Sequence, residues 1–264
     1  MLNHQTAEKL RSMRLTAMAR EYLRQAESRD MSCLDFDERI GMLVDAEWLT
    51  RENNRINKLV KDATLRVSSA IFADIDYRPS RKLDRRAVTR LSDFAWTKEH
   101  RNIIITGATG TGKTWLACAF GYEACQMGIH TKFYRVSRLI NELTLAAGLG
   151  NLTKILAKLA KVDILILDDW GISVITPAES LLLMEVIEER HDCHSTIITA
   201  QVPVSKWHIL FEDPTKADGI LDRLVHNAYR FELQGPSLRA KGEIITPLGP
   251  LEPDQAQGGD HDAV

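Results

Sequence analysis

Long apolar runs are missing from this 264-residue chain, and no stretch approaches the 18 consecutive apolar residues of a membrane-spanning helix. The N-terminus, Met1-Leu2-Asn3-His4-Gln5, places no basic segment before an apolar one, so no signal peptide is expected. Cysteine is scarce: Cys33, Cys118, Cys125 and Cys193 form no C-x-x-C pair, and no histidine cluster completes a zinc site. Reduced, partly buried thiols in a cytoplasmic protein are expected. A surplus of one charge is lacking too, since 34 Lys and Arg stand against 36 Asp and Glu, for a formal net charge of −2. This excludes nucleic-acid binding by bulk positive charge, though not by a local basic patch.

What is present divides the chain. With 44% hydrophobic residues, it can bury one large α/β domain and a smaller piece. Residues 1–77 read as an all-helical N-terminal domain. Their apolar stripes are Leu15, Met18, Ala19 and Tyr22, then Ile40, Leu43, Val44 and Trp48, then Ile56, Leu59 and Val60. Ser32 is expected to cap a helix with Asp35 at N3. Residues 78–98 read as a basic linker. Within it, over residues 78–90, Arg78, Arg81, Lys82, Arg85, Arg86 and Arg90 face one acid, Asp84, and the stretch is either a solvated connector or a phosphate-contacting segment. Over residues 99–246, apolar runs at 102–106, 131–136, 162–167, 195–200 and 228–233 alternate with helix-like sequence, which predicts a parallel, doubly wound sheet. One such helix, 113–127, should stop at Gly128, and another should open on a capping box at Thr176–Glu179. Residues 247–264, rich in Gly, Pro and Asp, are expected to form a disordered acidic tail.

One motif fits its pattern at every fixed position. Gly107-Ala108-Thr109-Gly110-Thr111-Gly112-Lys113-Thr114 matches G-x-x-x-x-G-K-[ST], with a strand before it and a helix after it. Phosphate oxygens need several converging backbone N–H donors, and glycines let the loop approach closely. The following helix aims its N–H groups and positive dipole end at the anion. Lys113 adds charge for the β- and γ-phosphates of ATP, and Thr114 offers a hydroxyl to Mg2+. The nucleotide-binding run extends to Trp115.

Downstream, Ile164-Leu165-Ile166-Leu167-Asp168-Asp169 is an apolar strand ending in two acids. On a strand neighbouring that of the P-loop, Asp168 would point into the ligand crevice and hold magnesium, while Asp169 would polarise the attacking water. The next strand ends at Thr199-Ala200-Gln201. Gln201 is the first candidate to face the γ-phosphate from the other side, and Thr199 the second.

With these residues assembled, the chain resembles the IstB-like ATPases, the transposition helper proteins of insertion sequences, in the DnaA/DnaC branch of the AAA+ P-loop NTPases. The resemblance runs from about Leu10 to Arg239. It rests on Arg14-Leu15 with Met18-Ala19, on Gly107–Thr114, and on Leu167-Asp168-Asp169-Trp170-Gly171. It continues through Ser195–Gln201, Lys206-Trp207-His208 and Ile220-Leu221-Asp222-Arg223-Leu224. It implies ATP hydrolysis, ATP-dependent self-association into an oligomer on duplex DNA with little sequence preference, DNA bending, and delivery of that DNA to a partner transposase. It also implies that Arg223 of a neighbouring subunit reaches the γ-phosphate as an arginine finger. The chain departs from many AAA+ enzymes in having Asp169 where they carry Glu; one methylene fewer leaves the attacking water farther away, so slow turnover is expected. It also leaves little sequence after Leu233 for a helical lid, although Arg239 could stand in for the second sensor arginine.

For DNA, Lys154, Lys158 and Lys161 fall opposite the apolar face Leu152, Ile155, Leu156 and Leu159. This stripe is a phosphate track or a solvated face; Arg135 and Arg138 could extend it, and Arg85 and Arg86 offer a second basic set. Arg11, Arg14, Arg20 and Arg24 could clamp DNA, pair with another subunit or dock the transposase. A DnaC-like helicase loader is the alternative function, since its ATPase core would look almost the same. A small-molecule P-loop kinase fits less well, because neither an acceptor site nor an arginine-bearing lid is visible.

Overall fold

The computed structural model describes residues 2–28, 31 and 33–238; Ser32, Arg239 and the expected tail at 247–264 lie outside them. Five strands form one parallel sheet: β1 (Asn102–Gly107), β2 (Thr131–Arg135), β3 (Ile164–Trp170), β4 (Ser195–Ala200) and β5 (Ala228–Leu233). Alternation along each strand sends side chains to opposite faces. Ile103, Ile105, Ile164, Ile166 and Ile197 enter one core, and Ile104, Leu165, Leu167 and Ile198 enter the other. Helices cover both. α4 (Arg85–Leu91), α5 (Ala95–Lys98) and α6 (Lys113–Gln126) pack on the first face. α7 (Val136–Gly148), α8 (Leu152–Leu159), α9 (Pro177–Glu188) and α10 (Pro214–Val225) pack on the second.

The strand order is β2-β3-β4-β1-β5. This corrects the placement of the two-acid strand beside the P-loop strand: β4 lies between them, because two crossovers carry the chain out to β2 and β3 before it returns. The consequence is chemical, since the end of β4 stands between the phosphate loop and Asp168.

Residues 78–98 are not a free linker. Val88, Leu91, Phe94 and Trp96 are buried in the first core, and the preceding stretch contributes Ala70 and Ile75 to it. Arg81 is only 2% exposed. Arg-rich composition disguises a segment whose apolar anchors, Val88, Leu91, Phe94 and Trp96, point inward.

At the N-terminus, α1 (Leu2–Ser12), α2 (Thr16–Glu27) and the 28-residue α3 (Phe36–Ala63) follow one another. The second and third apolar stripes share this one helix. Ile40, Val44 and Trp48 are exposed, whereas Leu43 is buried, so the outer part of α3 is covered on one side alone. The cap of α3 is Asp35, in a capping box with Glu38, and not Ser32. The start of α2 lacks a side-chain cap of its own; Glu47 of α3 accepts from the N–H groups of Ala17 and Met18 instead, at 2.9 and 3.1 Å. The four cysteines are free, and burial pushes the thiols of Cys118 and Cys125 up to about 11. No helix of the described residues is long and apolar enough to cross a membrane.

Candidate nucleotide site

The loop from Gly107 to Gly112 leaves the C-terminal end of β1 and runs directly into α6. At Gly107 (φ +149) a Cβ would stand 2.3 Å from the carbonyl oxygen of Leu233, so β5 closes against the loop at a distance that only glycine permits. Gly112 is the N-cap of α6 and supplies no side-chain cap. Such an N-terminus directs backbone N–H groups and the positive dipole end outward, the arrangement an anion requires. The Lys113 ammonium folds over the loop and donates to the Ala108 carbonyl at 2.8 Å.

The acids meet this loop through hydroxyls. Asp168 is fully buried, and its Oδ1 accepts from Thr114 Oγ1 at 2.7 Å and from Thr199 Oγ1 at 2.5 Å. Thr199 in turn accepts from the Asp169 N–H at 3.2 Å. The pairing of β3 with β4 breaks between Leu167 and Trp170, and Asp169 sits in that bulge with φ +65. A bulge re-aims one side chain; Asp169 thereby turns toward the cleft, where Arg66 Nη1 and Arg135 Nε lie 3.7 and 3.8 Å from its Oδ2. Behind the bulge Trp170 stacks on Trp207 and Phe211 at 5.6 and 6.1 Å, which anchors the strand end.

The cleft has a volume of about 390 Å³. Lys113, Thr114, Asp169 and Gln201 line its polar side, and Val67, Trp115 and Leu238 its apolar side. Gln201 accepts from Thr109 Oγ1 at 2.9 Å, so it faces the phosphate loop, whereas Thr199 serves Asp168. The donor set fits a hard divalent cation: an unionised hydroxyl and a buried carboxylate already share an axis, with no His or Cys between them. Among the described residues no group of three or more His, Cys, Asp or Glu could hold a metal by itself. Any such ion therefore depends on Thr114, Asp168 and the ligand's own oxygens.

Three contributors escaped the sequence reading. Arg66 bridges both acids and has no motif to betray it. Arg81 donates through Nη1 to the carbonyl of Thr111 at 3.1 Å and of Pro236 at 3.3 Å, and through Nε to Asp76 at 3.1 Å. It ties the phosphate loop to the segment after β5, where the Leu238 N–H donates to the Gly110 carbonyl at 2.9 Å. A Cβ on Gly110 (φ +83) would stand 2.1 Å from Ser237 Oγ. The only sequence signal for this strap was the glycine itself.

Arg223 lies elsewhere. It is on α10, with Nη2 2.8 Å from Glu188 Oε2 and Nη1 donating to the Gly219 carbonyl at 3.0 Å. Asn102, at the start of β1, donates to the carbonyls of Arg223 and Leu224 at 3.2 and 3.1 Å. The phosphate loop begins at the other end of that strand. Five steps of about 3.3 Å put roughly 17 Å between them, more than an arginine side chain spans.

The basic sets separate as well. Lys154 and Lys158 on α8, Lys161 just beyond it and Arg138 on α7 are exposed on one side of the sheet. Arg85 and Arg86 on α4 are exposed on the other, with Arg85 5.2 Å above the Tyr77 ring. Arg135 stands beside Asp169 in the cleft. Arg81 is withdrawn from any role on DNA by its burial.

The family model described as "IstB-like ATP binding protein" matches residues 5–244. The insertion sequence ATP-binding protein y4pL of Sinorhizobium fredii is 41% identical over 239 residues, covering 90% of this chain and 97% of the relative. The crystal structure of DnaI superposes with a TM-score of 0.55 at 20% identity, over 67% of this chain and 94% of the other. AMPPCP-bound DnaA from Aquifex aeolicus gives 0.51 at 19% identity, over 63% of this chain and 50% of the other. At those identities the structures speak for the fold alone, a P-loop domain of the AAA+ type.

Proposed function

Since the chain belongs to the family of IstB-like ATP-binding proteins of insertion sequences, we propose that it hydrolyses ATP slowly, as the timer of a DNA-bound assembly that serves a transposase. ATP occupies the cleft with its phosphates on the Gly107–Thr114 loop, and Lys113 leaves the Ala108 carbonyl to meet the β- and γ-phosphates. Thr114 and Asp168 hold magnesium, which when bound neutralises phosphate charge. Asp169 orients the attacking water and accepts its proton. Gln201 contacts the γ-phosphate beside Thr109, and Thr199 keeps Asp168 in place.

The observation that carries this reading is the Thr114–Asp168 hydrogen bond, which sets a phosphate loop and a buried acid from a non-adjacent strand in register for one ligand. The position of Arg223 at the opposite end of β1 supports its action on a neighbouring subunit's nucleotide, where it neutralises charge on the transferred phosphoryl group. Duplex DNA is bound without sequence preference through exposed Lys154, Lys158, Lys161 and Arg138, with Arg85 and Arg86 as a second contact. Contacts of this kind go to backbone phosphates and carry no base readout, and the assembly deforms target DNA and recruits and stimulates the transposase in the cytoplasm. Relatives named for insertion sequences favour this role over that of a helicase loader.

Mixing tests the shared site. Lys113→Ala should lose nucleotide binding and assembly together, and Arg223→Ala should bind nucleotide yet fail to hydrolyse it. Combined, the two proteins should regain part of the hydrolysis rate in a phosphate-release assay. Full activity of a monomeric Arg223→Ala protein refutes the reading.

A further inference from the structure

Arg66 follows α3 by only a few residues, just after Thr64, whose backbone is left-handed (φ +50). Its Nη1 lies 3.3 Å from Asp168 Oδ2 and 3.7 Å from Asp169 Oδ2, and it lines the same cleft as Lys113 and Thr114. A buried carboxylate needs a partner for its charge. The hydroxyls of Thr114 and Thr199 both go to Oδ1 of Asp168, while Oδ2 is met by the guanidinium. Arg135 attends Asp169 alone.

We propose that Arg66 is an internal counter-cation that competes with the magnesium of the incoming nucleotide for Asp168. The inference rests on the reading of the cleft as a magnesium-nucleotide site. Two cations cannot both sit against one buried carboxylate without strong repulsion at short range. Arg66 therefore yields when magnesium arrives with the triphosphate, and an acid that would otherwise be buried and unpaired stays neutralised in the free protein. The side chain is 36% exposed, so it has room to swing outward.

The test is a magnesium titration of the full chain at fixed concentration of a fluorescent ATP analogue, for the wild type, Arg66→Ala and Arg66→Lys. Removing the competitor should lower the half-saturating magnesium concentration of Arg66→Ala roughly three- to fivefold, the worth of a partly exposed ion pair. Arg66→Lys, which keeps the charge but not the fork, should fall between the two. Melting curves without nucleotide check that both variants fold. An unchanged half-saturation in both variants overturns the proposal. So does a raised value accompanied by loss of preference for ATP over ADP, which would make Arg66 a phosphate ligand. Wild-type protein that takes up no nucleotide at any magnesium concentration overturns the nucleotide reading itself, and this inference with it.

Discussion

Replacing Arg81 by Met removes the guanidinium while keeping most of the aliphatic stem, and the structure permits the cost to be worked out. Three kinds of contact disappear: the bond to Asp76, the bond to the Thr111 carbonyl, and the shared bonds to the carbonyls of Pro236 and Gln234 at 3.3 and 3.5 Å. Hydrogen bonds to a charged group contribute about 1.5–3 kcal/mol each. Two terms run the other way. Nη2 is buried without a partner among the described residues, so its loss relieves a penalty of about 1–3 kcal/mol. Asp76 also keeps Arg78, at 2.6 Å. With all three taken at the low end of that range, because the carbonyl bonds are shared and long and Asp76 keeps a partner, the balance is a loss of about 2–4 kcal/mol. At about 2–4 °C per kcal/mol for a domain of this size, Tm should fall by roughly 4–16 °C. Scanning calorimetry measures the fall directly. Freed Thr111 and a loosened strap should also weaken binding of a fluorescent ATP analogue, because the loop must then be ordered by the ligand. An Arg81→Met protein that melts within about 2 °C of the wild type would refute the view that this arginine clamps the phosphate loop.

Two further substitutions probe other links. Asp169→Asn should keep the left-handed backbone, which Asn adopts readily. It should bind ATP within a few-fold of the wild type and hydrolyse it at least about a hundredfold more slowly in a phosphate-release assay; undiminished turnover would remove Asp169 from the chemistry. Glu47→Gln weakens the remote cap of α2 and should cost about 1 kcal/mol in denaturant unfolding at neutral pH. Burial pushes the Glu47 carboxyl up, but hydrogen bonds from Arg51, Met18 and Ala17 outweigh it and hold the group below the ordinary range. Its contribution is therefore complete above about pH 4.3 and lost as pH falls through the lower folded value. The wild-type and variant stability curves should converge in acid, and a gap independent of pH would point to packing instead.

The phosphate loop was legible because its chemistry is local: eight consecutive residues supply the turn, the charge and the helix start. Strands β1, β3 and β4 were legible for the same reason, as short isoleucine-rich runs. The order of the strands was not, since it depends on which crossover packs against which face, and no residue in β4 announces that it will lie between β1 and β3. Thr199 consequently ranked behind Gln201, although it is Thr199 that touches Asp168. Composition misled over residues 78–98, where seven basic residues suggest solvent and four buried apolar ones decide the packing. Periodicity found α3 but not what covers it: of the stripe Ile40, Leu43, Val44 and Trp48, only Leu43 is buried.

The place of Arg223 bears on why hydrolysis should be slow in an isolated chain. Within one subunit Lys113 is the cation on the phosphate loop, whereas Arg66 and Arg135 lie against the acids, and on the proposal above Arg66 swings outward when magnesium arrives. Arg223 stands at the far end of β1, held by Glu188, and cannot turn back to its own nucleotide. A donor at one end of the sheet and an acceptor at the other are complementary only between copies arranged head to tail, a heterologous contact that propagates as a ring or a filament. Each added subunit would complete the site of the one before it. If Arg223 acts on a neighbour's nucleotide as proposed, Glu188 must release it as that contact forms, so assembly and the capacity to hydrolyse would arise in the same step, and a terminal subunit would keep its ATP for want of a neighbour.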